Sequence, residues 1–404
     1  MKCGLLGRKL GHSYSPQIHR HFGDYAYVLY EKEPQELEAF LRYGDFDGLN
    51  VTMPYKKSVI PYLDELTPIA AQLGAVNTIV RRNGKCIGIN TDYSGFRDML
   101  RKSGLSPAGK KCLILGSGGA SQVVKHVLQE ENANVIVISR TGENNYENLS
   151  RHADAAILVN TTPLGMYPNN LITPVDLNLF PCLEGVLDLI YNPAQTKLLM
   201  DAEKRQVVTM NGLYMLVSQA KAAAQWFTDT TIPQEEVYRI HMILKKQMEN
   251  IILVGMPGCG KSTIGKLLSE KTEKTFIDCD LEIEKIAKKS IPRIFAEDGE
   301  RVFRDWETQV LTEFGKQSGF VIATGGGCVT ERRNYPLLHQ NGRIIWLQRD
   351  IAKLPTCGRP LSQKQALTYM YENRVPQYTH FADHIIDNNG TIENTINAVL
   401  EAIL

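Results

Sequence analysis

The stretch IILVGMPGCGKST, Ile251–Thr263, constrains the fold more than any other part of this 404-residue chain. Four apolar residues read as a buried strand, and the glycine-rich turn closing on Lys-Ser-Thr reads as a loop that opens a helix. Gly255 to Ser262 fits G-x-x-x-x-G-K-[ST] in full. Each part has a physical task. Gly258 and Gly260 let bare backbone amides approach phosphate oxygens, Lys261 reaches the β and γ groups, and Ser262 offers a hydroxyl to Mg2+. Gly255, Cys259 and Thr263 complete the candidate ATP-binding set. The pattern specifies a nucleoside triphosphate and leaves the acceptor open.

The residues before this loop alternate between short apolar runs and amphipathic segments. KCGLLG, YAYVLYE and DGLNVTM read as strands, with SPQIHRHF and PQELEAFLRYG as helices between them. A second rhythm starts near Gly109: KKCLILGSGGAS, the helix QVVKHVLQEE, the strand NVIVISR, then AAILVNTT and GVLDLIY. This is the βαβ pattern of a nucleotide-binding sheet. Two helices follow, NGLYMLVSQAKAAAQWF and QEEVYRIHMILKKQMEN, and the second runs into Ile251 with no Gly, Pro or Ser-rich linker. The predicted organisation is α/β throughout: a substrate domain over 1–106 plus 208–247, a Rossmann-type dinucleotide domain over 107–207, and a P-loop NTPase-type domain over 248–404.

LGSGGAS, Leu115–Ser121, is a glycine turn between strand and helix. Alone it fits either a tight βα corner or a pyrophosphate cradle made of Gly116, Ser117, Gly118, Gly119 and Ala120. The next strand ends in VISRT, which puts Ser139, Arg140 and Thr141 where a dinucleotide ribose would lie. An acidic residue there favours NAD, whereas an arginine suits the extra phosphate of NADP, so the predicted cofactor is NADP(H).

The fragments LGHSYSP, GLNVTMPYK, GAVNTIV, GINTD, NTTPLGMYP, LDLIYNP and GLYMLVSQA together resemble shikimate dehydrogenase across residues 1 to about 230. The resemblance implies that Ser13 and Ser15 bind a substrate carboxylate, and that Thr52, Asn77, Asp92 and Gln219 hold ring oxygens near Tyr191. It makes Lys56 and Asp92 the expected catalytic pair. That pairing suits carbonyl reduction, because an ammonium stabilises and then protonates the oxygen that receives negative charge. Taken singly, Lys56 reads as a solvated charge and Asp92 as a helix cap. Lys9 and Tyr55 stand where the family often has proline and histidine.

Behind the phosphate loop, FIDCD, GERVFRDWE, VIATGGG, GRPL and ENRVPQY resemble shikimate kinase over about 250–390. The resemblance implies that Asp280 holds the acceptor hydroxyl as candidate base and that Asp278 helps Ser262 position the metal. Arg304 and Arg374 would grip the substrate carboxylate, with Glu307 orienting Arg304. Gly325, Gly326 and Gly327 would lie against the ring, and Arg359 would come down on the phosphates. Two arginines suit a carboxylate because the guanidinium fork matches its geometry. Singly, D-x-D also reads as a strand end with a helix cap. Between Leu347 and Arg359 the chain is shorter than the family's lid, and Arg349 and Lys353 are the cations left to meet the nucleotide there.

A formal net charge of +1 gives no reason to expect nucleic acid or membrane partners, and no apolar run suggests a leader or a span. Eight scattered cysteines without metal spacing suit reduced thiols in a cytoplasmic protein. The joint expectation is a bifunctional enzyme whose small-molecule partners are 3-dehydroshikimate and shikimate, with NADP(H), ATP and Mg2+ as cofactors. The alternatives are a ligand-binding regulatory protein with one inactive half, or a quinate-preferring first half.

Overall fold

The computed structural model describes residues 1–11, 13–354 and 364–403. Arg359 lies outside the described residues. Among them, sixteen strands form three sheets. The chain divides into two compact units. The first comprises Met1–Pro163, Pro174–Tyr191 and Asp201–Ile243, and the second Leu164–Thr173, Asn192–Met200 and Leu244–Leu404. No helix among the described residues is long and apolar enough to cross a membrane.

The first unit holds two sheets. One contains β1 (Lys2–Gly7), β2 (Ala26–Glu31), β3 (Gly48–Val51), β4 (Glu65–Leu66), β5 (Thr78–Arg82) and β6 (Lys85–Ile89), in the order β2-β1-β3-β5-β6-β4. β1 and β3 are almost wholly buried, as near-continuous apolar runs demand. β5 and β6 form a hairpin across Asn83–Gly84, both at positive φ, the backbone that a two-residue turn requires.

The other sheet is fully parallel: β7 (Lys111–Leu115), β8 (Asn134–Ile138), β9 (Ile157–Asn160), β10 (Gly185–Asp188) and β11 (Val208–Met210), ordered β11-β10-β9-β7-β8. Strand order reverses between β7 and β9, and the carboxyl ends at such a switch point make the ligand crevice of open α/β sheets. The helices Asp92–Ser103 and Leu213–Thr228 pack against each other.

The second unit is built on a parallel sheet of β12 (Asn250–Val254), β13 (Thr275–Asp278), β14 (Phe320–Ala323), β15 (Gly342–Gln348) and β16 (His384–Asp387), ordered β13-β14-β12-β15-β16. β12 is buried at every position, which its NIILV composition explains. Of its two earlier stretches, the first joins this unit through Leu171, which packs on the core, and Asn170 Nδ2, which donates to Gln340 Oε1 at 2.7 Å, and the second through Ala194 N–H, which donates to Asn341 Oδ1 at 2.9 Å.

A buried histidine makes the first unit acid-sensitive. His19 is 1% exposed, stacks on Tyr27 with ring centroids 4.2 Å apart, and lies 2.7 Å from the Tyr25 hydroxyl through Nδ1. Burial pushes its pKa down to about 3 from 6.5. Between those values the unfolded chain holds a proton that the native chain lacks, so stability falls as pH drops, by at most about 1.4 kcal/mol per pH unit. His19→Phe should therefore lose less unfolding free energy in urea between pH 7 and pH 5 than the parent does. Equal losses would contradict this.

Candidate active sites

In the first unit, Lys56 Nζ donates to Asp92 Oδ2 at 2.6 Å, with the carboxylate mostly buried and the lysine about one-third exposed. The lysine's own loop is fixed from both sides. Its carbonyl accepts from Val76 N–H at 2.7 Å, and neighbouring Tyr55 is 1% exposed with its hydroxyl donating to the Lys32 carbonyl at 2.5 Å. Tyr55 thus anchors the loop in the core. Asp92 opens the helix Asp92–Ser103, and its N-cap position, Thr91, makes no side-chain cap bond. The Asp92 carboxylate instead holds the lysine.

Asn77 is 3% exposed and clasps Thr91, donating to its hydroxyl at 3.0 Å and accepting from its N–H at 2.6 Å. Gln219 projects from the helix Leu213–Thr228, where Gly95 leaves room: a Cβ on Gly95 would lie 2.9 Å from Gln219 Cβ. Thr52 follows β3, with its N–H donating to the Leu6 carbonyl at 3.0 Å. The fold therefore gathers Lys56, Asp92, Asn77 and Gln219 about one helix start. Ser13 and Ser15 form a separate polar pair, with Ser15 N–H donating to Ser13 Oγ at 3.2 Å. Between them stands Tyr14, whose ring meets Tyr191 edge-on at 6.1 Å. Burial raises the pKa of both phenols, which keeps them neutral donors.

Gly116 leaves β7 at φ +103°, and a Cβ there would lie 2.9 Å from Thr162 Cγ2 and 3.0 Å from Thr161 Oγ1 on the chain leaving β9. Ser117, Gly118 and Gly119 are exposed, Ala120 is half-buried, and the helix Gly119–Glu130 begins there. Open amides at a helix start beside the switch point suit a pyrophosphate. Ser139, Arg140 and Thr141 follow β8; Arg140 and Thr141 are exposed, and Ser139 N–H donates to the Asn144 carbonyl at 3.1 Å.

In the second unit, Gly255, Gly258 and Gly260 all take positive φ between β12 and the helix Lys261–Thr272. Lys261 is 8% exposed and turns back on its own loop, donating to the carbonyls of Gly255 at 2.8 Å and Met256 at 3.1 Å. Cys259 is buried, while Thr263 is exposed in the first helical turn. Ser262 Oγ donates to Asp278 Oδ2 at 2.6 Å. The other oxygen of Asp278 caps the helix Cys279–Ala287 by accepting from Asp280 N–H at 3.1 Å. The cap and the serine partner are therefore one carboxylate. No cluster of three or more His, Cys, Asp or Glu among the described residues is arranged to hold a metal. The Ser262–Asp278 pair nonetheless supplies the hard oxygen donors that Mg2+ takes when water and phosphate complete its shell.

The turn after β14 draws the remaining residues together. A Cβ on Gly325 would lie 2.5 Å from Glu307 Oε1 and 3.1 Å from Asp280 Oδ1, and one on Gly327 would lie 2.3 Å from Arg304 Nη2. Arg374 Nη1 donates to the Gly326 carbonyl at 3.1 Å. Arg304 Nη1 donates to Glu307 Oε2 at 2.9 Å, and Nη2 to Glu300 Oε1 at 3.0 Å. Glu307 is wholly buried. Burial pushes its carboxyl above the ordinary value, and Arg304 opposes that shift. Arg304, Arg374, Asp280 and the three glycines thus meet at one place beside the phosphate loop, whose Pro257 packs on Gly326.

Sequence reading passed over several supports. Tyr378 is buried, and its hydroxyl donates to the Gly326 carbonyl at 2.5 Å. Asn160 and Asp188, both fully buried, are bonded at 3.0 Å behind the dinucleotide crevice. Asn388 Nδ2 donates to the Cys259 carbonyl at 2.5 Å. ENRVPQY hinted at Tyr378 by its spacing from Arg374, one helical turn away; nothing local marks Asn388.

Fold and sites together define a dinucleotide-type α/β oxidoreductase followed by a P-loop phosphotransferase. Residues 5–79 match the family model of the shikimate dehydrogenase substrate binding domain, and 257–404 match that of shikimate kinase. A shikimate dehydrogenase (NADP(+)) from Shouchella clausii is 36% identical over 269 residues, 59% of this chain and 98% of that protein. Among solved structures, a chorismate mutase/shikimate 5-dehydrogenase fusion from Clostridium acetobutylicum aligns at TM-score 0.58 and 35% identity, covering 61% of this chain and 97% of its own. A shikimate 5-dehydrogenase from Thermus thermophilus, in complex with NADP(H) and shikimate, aligns at TM-score 0.54 and 28% identity over 60% and 98%. The chain belongs to the shikimate dehydrogenase family and carries a shikimate kinase domain behind it.

The Arg304–Glu307 pair yields a stability prediction. Removing one partner of a buried ion pair leaves the other charge uncompensated, at a cost of about 3 kcal/mol. Glu307→Ala should destabilise the second unit by that amount in denaturant, followed by the fluorescence of Trp306 and Trp346. A loss below about 1 kcal/mol would show that Glu300 alone satisfies the arginine.

Proposed function

We propose that the first unit reduces 3-dehydroshikimate to shikimate with NADPH, and that the second phosphorylates shikimate to shikimate 3-phosphate with ATP and Mg2+. The observation that carries this reading is the convergence of Asp280, Arg304 and Arg374 on the Gly325–Gly327 turn beside the phosphate loop. It calls for an acceptor with a carboxylate on one side and hydroxyls on the other, which is the product of the first reaction.

NADPH supplies the hydride and ATP the phosphoryl group; the chain supplies position and charge. Ser13 and Ser15 take the carboxylate of 3-dehydroshikimate, while Thr52, Asn77 and Gln219 hold its oxygens near Tyr191. Lys56 stabilises the developing charge on the carbonyl oxygen and gives it a proton, and Asp92 keeps the ammonium aimed. Gly116 to Ala120 hold the pyrophosphate of NADPH, and Arg140, with Ser139 and Thr141, takes its 2′-phosphate. In the second unit, Arg304 and Arg374 clamp the shikimate carboxylate, and Asp280 accepts the proton of the attacking hydroxyl. Lys261 neutralises the transferring phosphates, and Ser262 with Asp278 seats the metal. Positioning and charge neutralisation account for most of the rate in such transfers. A reduced cytosol suits the chemistry, and the six buried described cysteines need no oxidant.

The test is one vessel holding purified protein, 3-dehydroshikimate, NADPH, ATP and magnesium, in which NADPH oxidation and shikimate 3-phosphate are both followed. Lys56→Ala should slow reduction by about 10²-fold or more and leave phosphorylation of added shikimate intact. Lys261→Ala should stop phosphorylation and leave reduction unchanged. Consumption of NADPH without phosphorylated product would refute the second activity. A preference for quinate over shikimate in the reverse direction would reassign the first.

A further inference from the structure

Resting on the kinase reading above, we propose that Arg349 binds the phosphate chain of the nucleotide, doing from the end of β15 what sequence had left open between Arg349 and Lys353. The two cations differ sharply in the structure. Lys353 is engaged: Nζ donates to the Asn389 carbonyl at 3.3 Å and pairs with Asp350 at 3.8 Å. Arg349 makes no ion pair among the described residues, and its Nε is buried with no hydrogen-bond partner. Its Nη1 lies 3.9 Å from where a Cβ of Gly260 would stand, at the last glycine before Lys261.

That place is electrostatically wrong for an uncompensated cation. Gly260 is the N-cap of the helix Lys261–Thr272, where the helix dipole presents partial positive charge, and Lys261 adds a full one. Asn388, whose Nδ2 lies 3.4 Å from that same Gly260 Cβ position, already donates to the Cys259 carbonyl and accepts from Thr395. A buried N–H without a partner costs free energy, and one beside a phosphate-binding loop suits an anionic acceptor. A polyphosphate on the loop resolves all three terms at once, giving Arg349 an acceptor, a counter-charge and relief from the helix end. Arg349 comes to the loop because it directly follows β15, which pairs with β12 in parallel register up to Val254 and Trp346. We assign it to phosphate oxygens because its neighbour is the phosphate-binding glycine itself.

The test uses the full chain and calorimetric titration of two probes, AMP-PNP with magnesium and inorganic tripolyphosphate, which has no base. Arg349→Ala should weaken both by about tenfold or more, as loss of a hydrogen bond to a charged group does. Arg349→Lys should recover part of both, because it restores charge without the fork. The KM for shikimate in phosphorylation and all dehydrogenase constants should stay within about twofold of the parent, since Arg349 touches neither site. Loss of AMP-PNP binding with unchanged tripolyphosphate binding would move the arginine to the base and overturn the proposal, as would unchanged binding of both. Binding is read without turnover, so a parent that takes both probes and does not phosphorylate shikimate would defeat the kinase reading and leave this one judged on its own titrations.

Discussion

Two glycines set by parallel strands hold the account together. In a parallel sheet the loop leaving a strand's carboxyl end opens the next helix, whose first N–H groups are unpaired and face that crevice. Those donors reach a phosphate only if the chain turns at once. Gly116 turns at φ +103° and Gly255 at φ +146°, conformations that a side chain rarely tolerates. Space is refused as well as conformation: a Cβ on Gly116 would press on Thr161 and Thr162, and one on Gly255 would lie 2.6 Å from the Leu347 carbonyl. Thr161 and Thr162 lie on the chain leaving β9, and Leu347 lies near the carboxyl end of β15, the strand that pairs with β12. The sheet order therefore makes the crevice and also forbids anything larger than hydrogen at its floor.

Charge is arranged on those floors in two different ways. Lys261 is held ready by loop carbonyls, so an arriving phosphate exchanges one set of hydrogen bonds for stronger, charge-assisted ones. Arg304 is instead fixed by Glu307, whose carboxyl burial pushes above its ordinary value while the guanidinium pulls the other way. The Lys56–Asp92 pair lies between these cases: a short contact, with the lysine about one-third exposed, in which the carboxylate aims the ammonium without removing it from reach.

Much of this was legible in the sequence because it is local. Phosphate-loop spacing, the glycine turn after KKCLIL and the apolar runs of the parallel strands all announce themselves within a few residues. Asp278 shows that the helix-cap reading of D-x-D leaves an oxygen over: one oxygen caps the helix and the other holds the Ser262 hydroxyl. Asp92 resolved the other way, since its carboxylate goes to Lys56 and caps nothing. What stayed hidden is contact between distant segments. Asn388 reaches Cys259 across 129 positions, and Arg349 comes to rest by Gly260 through strand register, which no window of sequence displays. Tyr55, which stands where the family often has histidine, proves to be a core anchor, because its hydroxyl finds a carbonyl 23 residues back.

The central claim is that one chain carries two independent anion cradles, each closed by any atom added to its floor glycine. Calorimetric titration of NADP+ and of magnesium AMP-PNP into the parent, Gly116→Ala and Gly255→Ala tests it most directly. The account predicts one site for each nucleotide in the parent. It predicts a loss of about tenfold or more in NADP+ affinity confined to Gly116→Ala, and an equal loss of AMP-PNP affinity confined to Gly255→Ala. Competition of the two nucleotides for a single site, or parental affinity in either variant, would contradict it.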